Sequence, residues 1–493
     1  MSIGFKEYNL ENNDENTPTM NQTMQPVMRL LFMAYILFFI TSCKPIDPLN
    51  SAPNIDPNKK EIVFVTHNGP STYYLDNESQ PAGMEYDLAV LFVKEYFPGY
   101  EARFLLVNSI SDVIPSLLKG KAHIAAANLS ITDMRKHLVL FSSAYQETQQ
   151  QLIFNNEVNK KPKGVSGLYD KKITVPKGTS YAERLAEIQK EHTALKWSSI
   201  SQTNTESLLE EVSDGLLDFT VADNHLAALM QNYHPNLEVA MPLGPTDQIA
   251  WAMSKNTDPQ LLIKMNDFFA KIKKNGTLRN ILDRHYGHNK RLNTLDVTTF
   301  LKRINTLLPK YIHLFKQAQD ITGLDWRFLA AVSYRESHWD TYNTSPTNVR
   351  GLMMLTESTA DLMGVTDRLD PKQSIPAGAK YLLKLRDTVP ERIPEPDRTY
   401  MALAAYNIGY AHVEDARVLA KRLKLNPDSW ADVKKTLVLL KNPDYYTTLK
   451  YGYASGGAPV IFVESVRSYQ RILERYQPSH NLDNNTFKIA LVN

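Results

Sequence analysis

The hydrophobic periodicity of the chain changes partway along its length, and this change is the strongest constraint on the fold. Residues 61–288 alternate short apolar runs, typical of buried strands, with amphipathic helical patterns, whereas residues 299–475 show helical periodicity alone. Alternation of this kind indicates parallel α/β lobes with crossover helices. Because two sets of similar pattern follow one another, we expect an α/β domain of two hinged lobes, a connection at 289–298, and an all-α domain.

The individual elements follow from the same periodicity. The predicted strands of the α/β region are 61–65, 102–107, 123–127, 172–175 and 219–222, and the predicted helices are 86–97, 110–118, 180–190 and 208–212. In the second region, helical periodicity first runs from Thr299 to Gly323.

Composition excludes several classes of function. The 493 residues include 55 basic and 53 acidic ones, a net charge of +2, so the chain lacks the basic surface of a nucleic-acid-binding protein. With one cysteine, Cys43, no intramolecular disulfide can form. No Cys/His cluster suggests a metal site, and we expect neither a metal nor a cofactor.

An apolar run near the N-terminus has the character of a targeting segment. Leu30 to Ile40 is uninterrupted and follows Arg29. Spanning a bilayer needs about 20 residues, so this run is too short to cross a membrane, but it has the length of a signal-peptide core. A buried apolar segment is the alternative.

The run ends in Ile40-Thr-Ser-Cys43, which resembles the bacterial lipobox. The resemblance implies that residues 1–43 form an N-terminal extension with a lipoprotein signal peptide, and that Cys43 is lipidated. Residues 44–60 contain four prolines and no apolar periodicity, so they are predicted to be a tether. Lys44 after the cysteine implies anchoring at the periplasmic face of the outer membrane.

Several motifs of the α/β region are similar to those of the family 3 periplasmic solute-binding proteins, which bind amino acids. These motifs are Gly83–Ala89, Leu129–Arg135, Phe141–Tyr145, Lys177–Thr179 and Asp218–Asp223.

The resemblance to solute-binding proteins implies a role for each of three residues. Arg135 would clamp a ligand carboxylate, for which its planar guanidinium is suited. Thr179 would open a helix whose free N–H groups favour an anion, and Asp223 would bind the ligand's ammonium group. The implied ligand is an amino acid or a muropeptide-like fragment. Alternatively, Arg135 and Asp223 are ordinary surface charges, or the fold is retained without ligand binding.

In the helical region, one glutamate falls on an apolar helix face. Asp325 is a plausible N-cap, and on the helix after it Leu329, Val332 and Glu336 are spaced i, i+3, i+7. A carboxyl group on such a face is poorly solvated, so its pKa should rise. A glutamate that keeps its proton near neutral pH suits the general acid of glycoside chemistry.

Three segments in this region resemble the motifs of the soluble lytic transglycosylase family, which has a lysozyme-like fold. They are Arg335–Asp340, Gly351–Thr356 and Ala402–Asn407, and they stand in the family's order. Met354 occupies the position where the family commonly has glutamine. The combination of a lipobox, a solute-binding module and this domain resembles one membrane-bound branch of the family, in which the Met-Met form is expected.

The resemblance implies site roles in the helical domain. Glu336 matches the sole catalytic acid/base, and Ser337 is implied to help position that glutamate or the substrate. Met354, Tyr406 and Asn407 would line the cleft around the acetamidosugar, and Tyr469 matches a late aromatic residue of the family. For Tyr406 and Tyr469 the alternative is core packing.

The implied activity is non-hydrolytic cleavage of the β-1,4 bond between N-acetylmuramic acid and N-acetylglucosamine in peptidoglycan glycan strands, giving 1,6-anhydromuramic ends. The catalytic domain would span 299–475, with a tail at 476–493. One alternative is a muramidase with Asp340 as a second carboxylate. Another is a non-catalytic sensor of wall fragments. The solute-binding module would regulate or target the enzyme.

Overall fold

The computed structural model describes residues 55–76, 80–287, 292–344 and 349–480. The predicted signal peptide, Cys43, most of the tether and most of the tail lie outside these ranges, as does part of the predicted connection. Within the described ranges, no helix combines the length and apolar character needed to cross a membrane. Described residues after Asn50 belong to one compact unit.

The first lobe is built on a sheet with strand order β4-β1-β5-β13-β6, and β7 also pairs with β13. Its strands are β1 (Glu61–His67), β4 (Glu101–Val107), β5 (Ile124–Ser130), β6 (Val139–Phe141), β7 (Gln146–Thr148) and β13 (Asp247–Ser254), with β2 (Tyr74–Leu75) and β3 (Pro81–Ala82) as a separate pair. Its helices are α1 (Met84–Tyr96), α2 (Val113–Leu118), α3 (Asp133–Leu138), α7 (Pro259–Lys274) and α8 (Thr277–Tyr286).

The second lobe contains a sheet with strand order β10-β9-β11-β8-β12. The strands are β8 (Gln150–Asn155), β9 (Ile173–Pro176), β10 (Trp197–Ile200), β11 (Phe219–Asp223) and β12 (Leu237–Pro242). Helices α4 (Ser180–Glu191), α5 (Thr205–Ser213) and α6 (Asn224–Gln231) complete this lobe.

Both sheets are mixed, which corrects the expectation of purely parallel lobes. β1 pairs in parallel with β4 and β5, and β9 pairs in parallel with β10 and β11. β13 is antiparallel to β5, and β8 is antiparallel to β11 and β12. The antiparallel strands β8 and β13 are those that begin where the chain crosses between lobes, so the double crossing reverses their direction.

Among the described residues from 292 to 480 the regular elements are helices, as predicted, and isolated bridges join Arg350 to Thr344 and Leu355. These are α9 (Thr294–Thr306), α10 (Ile312–Thr322), α11 (Trp326–Ser337), α12 (Glu357–Met363), α13 (Pro371–Thr388), α14 (Asp397–Ile408), α15 (Tyr410–Arg422), α16 (Trp430–Leu437), α17 (Pro443–Tyr446) and α18 (Gly457–Tyr476). The helix expected from Thr299 to Gly323 is divided into α9 and α10 by a 3-10 turn at Leu308–Lys310. Pro309 in that turn lacks the N–H that would continue the helix.

The long helix α18 contacts both lobes of the α/β region. Arg467 Nη2 donates to the carbonyls of Asp283 and Arg284 at the end of α8, at 2.9 and 3.1 Å. Near the other end of α18, the guanidinium of Arg475 lies 4.7 Å from the ring centroid of Tyr233 in the second lobe. The helical domain is therefore packed directly against the two-lobed domain.

Candidate active site and ligand-binding cleft

Helix α11 carries the predicted catalytic glutamate and is fixed firmly in the core. It begins after Asp325, whose carboxylate accepts a 2.7 Å hydrogen bond from the backbone N–H of Arg327, as expected of an N-cap. Leu329 and Val332 are fully buried. Their burial orients the helix so that Glu336, one turn beyond Val332, follows the apolar face.

Glu336 is partly buried in the last turn of α11. Loss of solvation raises its pKa to about 8, and the neighbouring charge of Arg335 opposes the rise. The guanidinium of Arg335 lies 5.8 Å from the ring centroid of Phe462. A carboxyl group with this pKa is mostly protonated at neutral pH, which is the state that a general acid requires.

Ser337 does not project towards solvent but joins α11 to the next motif. Its hydroxyl lies 2.9 Å from the carbonyl oxygen of Leu352 and 3.0 Å from that of Ser333. The hydroxyl of Ser333 also donates to Leu352, at 3.0 Å. Two serine hydroxyls thus hold the Gly351–Thr356 segment beside the end of α11.

The Gly351–Thr356 segment is a tight turn that only certain residues can form. Gly351 has φ +80°, and a Cβ at that position would lie 1.8 Å from the carbonyl oxygen of Arg368. Met354 also has a positive φ, +47°. The side chain of Met354 is partly exposed, whereas Met353 is buried against Gly378, so the two methionines have different environments.

Tyr406 ties this turn to the end of α14. Its hydroxyl donates a 2.7 Å hydrogen bond to the carbonyl of Met353, and its ring stacks on Phe462 with centroids 6.5 Å apart. Burial raises the pKa of Tyr406 well above its usual value, and the negative charge of Glu336 adds to the rise. Tyr406 is therefore close to Glu336 and remains a hydrogen-bond donor.

The other predicted residues of this site have different surroundings. Asn407 is exposed at the end of α14. Tyr469 is buried, with its ring centroid 4.5 Å from that of Phe300 and 4.8 Å from that of Tyr334. Asp340 is exposed, and its carboxylate accepts a hydrogen bond from the backbone of Tyr342. The structure thus places Tyr469 in an aromatic core cluster.

The chain leaves α11 through two left-handed residues. His338 and Trp339 have φ of +54° and +59°, values that are costly for residues with side chains. The indole of Trp339 is buried and donates to the carbonyl of Ala330, and Arg303 donates to the carbonyl of His338. These contacts hold a strained backbone that begins two residues after Glu336.

A second candidate site lies between the lobes of the α/β region. A cavity of about 630 Å³ is lined by Arg135 from α3, Thr179 and Ser180 at the start of α4, and Asp223 at the end of β11. All three residues predicted for ligand binding therefore face one cavity. Its size falls within the range of small-molecule pockets, roughly 300–1,000 Å³.

Arg135 spans the two lobes and is 3% exposed. Its guanidinium donates to the carbonyls of Ser130 in the first lobe and Gly178 in the second, each at 3.1 Å. Nε donates to Glu183 Oε1, also at 3.1 Å. These bonds fix the plane of the guanidinium at the wall of the cavity, beside the start of α4.

Asp223 is 3% exposed and forms the opposite charge in the cavity. Its Oδ1 has no hydrogen-bond partner, and its Oδ2 is 3.4 Å from Nδ2 of Asn128. Burial raises its pKa to about 6, while Tyr181, Thr148 and Arg135 favour the charged form. An ammonium group placed here would supply the missing partner.

Sequence patterns did not identify several residues that these sites use. Met353 contributes a backbone carbonyl, Phe462 a ring surface, and Asn128, Tyr181 and Glu206 line the ligand cavity. Asn128 has φ +54°, and nothing in the sequence of this strand predicts that conformation. Tyr181 and Glu206 lie in the first turns of α4 and α5, where acidic and polar residues are common without any ligand.

The fold and the two sites define a class of protein: a two-lobed solute-binding module joined to a helical transglycosylase domain. Residues 62–288 match the family of bacterial extracellular solute-binding proteins, family 3, and residues 313–428 match the transglycosylase SLT domain. Both matches agree with the architecture described above.

The chain belongs to the family of membrane-bound lytic murein transglycosylase F. A curated member from Methylobacillus flagellatus is 56% identical over 467 residues, which cover 94% of this chain and 98% of the relative. Another from Nitrosospira multiformis is 45% identical and covers 85% of this chain and 87% of the relative.

Solved structures also match part of the chain. An ancestral arginine-binding protein bound to arginine is 25% identical, with a TM-score of 0.41, and covers 46% of this chain and 98% of that one. A solute receptor for L-cysteine from Neisseria gonorrhoeae is 24% identical, with a TM-score of 0.42, and covers 46% of this chain and 90% of that one.

Proposed function

We propose that this chain is a murein-degrading lytic transglycosylase in which Glu336 is the single catalytic acid/base. The substrate is the β-1,4 bond between N-acetylmuramic acid and N-acetylglucosamine in peptidoglycan. The observation that carries the proposal is the setting of Glu336. It is partly buried, its pKa is raised to about 8, and it lies beside Tyr406.

In the first step, protonated Glu336 donates its proton to the glycosidic oxygen, and the bond from that oxygen to C1 of the muramic sugar breaks. Glu336 is then a carboxylate, and it accepts the proton of the muramic C6 hydroxyl. The C6 oxygen attacks C1 and closes a 1,6-anhydro ring. Because the nucleophile belongs to the substrate, its effective molarity can reach roughly 10⁵–10⁸ M when it is well oriented.

Other residues position the reacting groups. Tyr406 and Ser337 hold the backbone on either side of Met353, so they fix the turn that carries the exposed part of Met354. Asn407, which is exposed and adjacent to Tyr406, would bind the acetamido group. Tyr469 acts from the core, since it packs on Tyr334 of the helix that carries Glu336.

The muramidase alternative needs a second carboxylate on the other side of the bond, typically about 5–9.5 Å from the acid. Of the charged groups in the described residues, Arg335 is the one that acts on the pKa of Glu336. Asp340 is occupied in capping a turn. These surroundings support the substrate's own hydroxyl as the nucleophile.

The product decides between the two mechanisms. Sacculi digested with the detergent-solubilised protein should release muropeptides with 1,6-anhydromuramic ends, which are lighter than reducing ends by one water. Mass spectrometry of the released muropeptides measures this difference. Asp340→Asn should still cleave. Reducing ends from the wild type, together with an inactive Asp340→Asn variant, would assign the protein as a muramidase.

The solute-binding module is proposed to bind an amino acid or a muropeptide-like fragment and to regulate or target the enzyme. Arg135 would take the ligand carboxylate, with help from the helix start after Thr179, and Asp223 would take the ammonium. Helix α18 supports regulation, because it contacts both lobes and also packs beside Tyr406 through Phe462. A ligand that favours one arrangement of the lobes would shift the contacts of this helix.

Regulation and targeting differ in their response to soluble ligand. If the module regulates catalysis, adding a ligand that calorimetry shows to bind should change the cleavage of a small soluble glycan, and Arg135→Ala should remove the change. If it only targets the enzyme, turnover of the soluble glycan should stay constant while the ligand binds.

Lipidation of Cys43 is proposed as the means of attachment to the outer membrane, with the catalytic domain in the periplasm. Its support is the lipobox-like sequence before the cysteine. Several acyl chains anchor a protein firmly, whereas a single chain binds only marginally. Cys43→Ser should therefore change processing and release the protein from the outer-membrane fraction, and unchanged fractionation would contradict the proposal.

A further inference from the structure

The ligand cavity contains more negative charge than a simple amino acid would neutralise. Its charged lining residues are Arg135, Asp223 and Glu206. His67 also lines the cavity, but burial lowers its pKa to about 4, so it is neutral at pH 7. An amino acid with a neutral side chain has one ammonium and one carboxylate, which would pair with Asp223 and Arg135. Burial raises the pKa of Glu206 to about 7, so its carboxyl group is about half ionised at pH 7, and such a ligand offers this ionised form no counter-ion.

The position of Glu206 explains why its charge matters to a ligand. It is the second residue of α5 in the second lobe, and its side chain reaches towards the loop after β1 in the first lobe. Its Oε1 lies 3.2 Å from the point where a Cβ on Gly69 would stand, and Nε2 of His67 is 3.8 Å from the same point. Glu206 thus closes the cavity between the lobes, at a point where Gly69 offers no side chain.

The ionised form of Glu206 has no cationic side chain within ion-pair distance in the part of the chain that the structure describes. Among the ion pairs formed by the described residues, none includes Glu206 or Asp223. The start of α5 compensates in part, since the dipole of a helix stabilises an acidic group in its first turn. A carboxylate that loses water without a counter-ion costs considerably more, and a bound ligand would remove that water.

We infer that the cleft takes a diamino acid, with its α-carboxylate on Arg135, its α-ammonium on Asp223 and a second, distal ammonium on Glu206. This inference deepens the proposed function, since it rests on the module being a binder of amino acids or wall fragments. A ligand with a neutral side chain is disfavoured because it would bury the Glu206 carboxylate without a cation beside it. Such a diamino acid could be free, as in lysine, or carried by a stem peptide, as with diaminopimelate.

Lysine and norleucine form a matched pair of probes, since they share a backbone and carbon chain and differ in the distal ammonium. Calorimetry on the detergent-solubilised full chain should show lysine binding about 10- to 100-fold more tightly than norleucine, the range for one charged hydrogen bond. Glu206→Gln should reduce lysine affinity by a similar factor. Because it also removes the unpaired carboxylate, the variant should bind norleucine more tightly than the wild type does. Glu211→Gln, on the same helix, is the control variant and should bind lysine like the wild type.

Equal affinity for lysine and norleucine would overturn the inference, as would a Glu206→Gln variant that binds lysine like the wild type. Retained norleucine binding and an unchanged thermal unfolding temperature show that the variant is folded. Titration with meso-diaminopimelate and with an alanyl-glutamyl-diaminopimelate tripeptide assigns the source, because tighter binding of the tripeptide indicates a wall fragment. If none of these probes binds, the inference fails, while release of muropeptides from sacculi still tests the enzymatic function separately.

Discussion

Both regions of the molecule hold carboxyl groups away from water, but they surround those groups differently. Glu336 in the helical domain has a pKa of about 8, with Arg335 as the charge that opposes the rise. Asp223 and Glu206 in the α/β domain have pKa values of about 6 and about 7, and both line a cavity.

The comparison shows how desolvation serves two purposes. A general acid must hold its proton until the substrate takes it, so a desolvated carboxyl group that stays neutral is ready for catalysis. A binding carboxylate must be ionised to attract a cation, so its desolvation is compensated only when the ligand arrives. The same physical cost therefore favours proton donation in one region and ligand selectivity in the other.

The largest expected effect is the loss of cleavage when Glu336 can no longer donate a proton. Glu336→Gln preserves shape but removes the transferable proton, so release of muropeptides from sacculi should fall by at least about 10²-fold. Circular dichroism should show the same helical content as in the wild type. A folded glutamine variant with near-normal release would falsify the assignment of Glu336.

The two regions should also respond to pH in opposite directions. Cleavage needs protonated Glu336, so kcat/KM should fall about tenfold per pH unit above about 8. Lysine binding needs ionised carboxylates, so affinity should fall as the pH drops through about 7 and about 6, where Glu206 and Asp223 take up protons.

Rate measurements on a soluble glycan test the loss of cleavage at alkaline pH, and calorimetry on the same preparation tests the loss of lysine binding at acid pH. In Asp223→Asn, the change in lysine affinity near pH 6 should disappear, while the fall in cleavage rate above about pH 8 should persist. Loss of cleavage on the acid side, with binding lost on the alkaline side, would contradict the comparison.

A smaller effect is expected from the hydroxyl that positions the turn beside Glu336. Tyr406→Phe removes the hydrogen bond to the carbonyl of Met353, a contribution of about 1 kcal/mol, so cleavage should fall roughly fivefold. Tyr453→Phe is a matched control because Tyr453 is exposed. Equal rates for the two variants would remove Tyr406 from the positioning role.

The smallest effect concerns stability. The pKa of Glu336 in the folded protein is raised above its usual value of 4.5, so between about 4.5 and 8 the unfolded chain ionises this group while the folded protein keeps it protonated. Stability therefore decreases through that window as pH rises. Glu336→Gln lacks this penalty, so its melting temperature should exceed that of the wild type by a few degrees at pH 8, and by less at pH 5. A gap that does not grow between these pH values would contradict the raised pKa.

The sequence predicted the local and periodic features of this molecule. The alternation of strands and helices before residue 288 and the helical periodicity after 299 gave a fold class that the structure and the family matches confirm. The N-cap at Asp325 and the phase of Glu336 also follow from residues within one helix. Such features are readable because neighbours in the sequence determine helix phase and capping.

The direction of the hinge strands could not be read in the same way. β8 and β13 are antiparallel to their neighbours because the chain crosses twice between the lobes, and their pairing joins residues far apart in sequence. Tyr469 illustrates the same limit for a side chain. Its spacing allows either a cleft or a core position, and packing against Phe300 and Tyr334 places it in the core.

The sequence by itself thus determined the order of the two domains, the family motifs and the glutamate that those motifs single out. The tertiary structure decided which charges share a cavity and which have no counter-ion. Glu206 lies in helix α5 and Asp223 at the end of strand β11, and Gly69 faces Glu206 from the other lobe. Solvation and charge pairing depend on the atoms that surround a group in space, and residues distant in the chain supply most of those atoms.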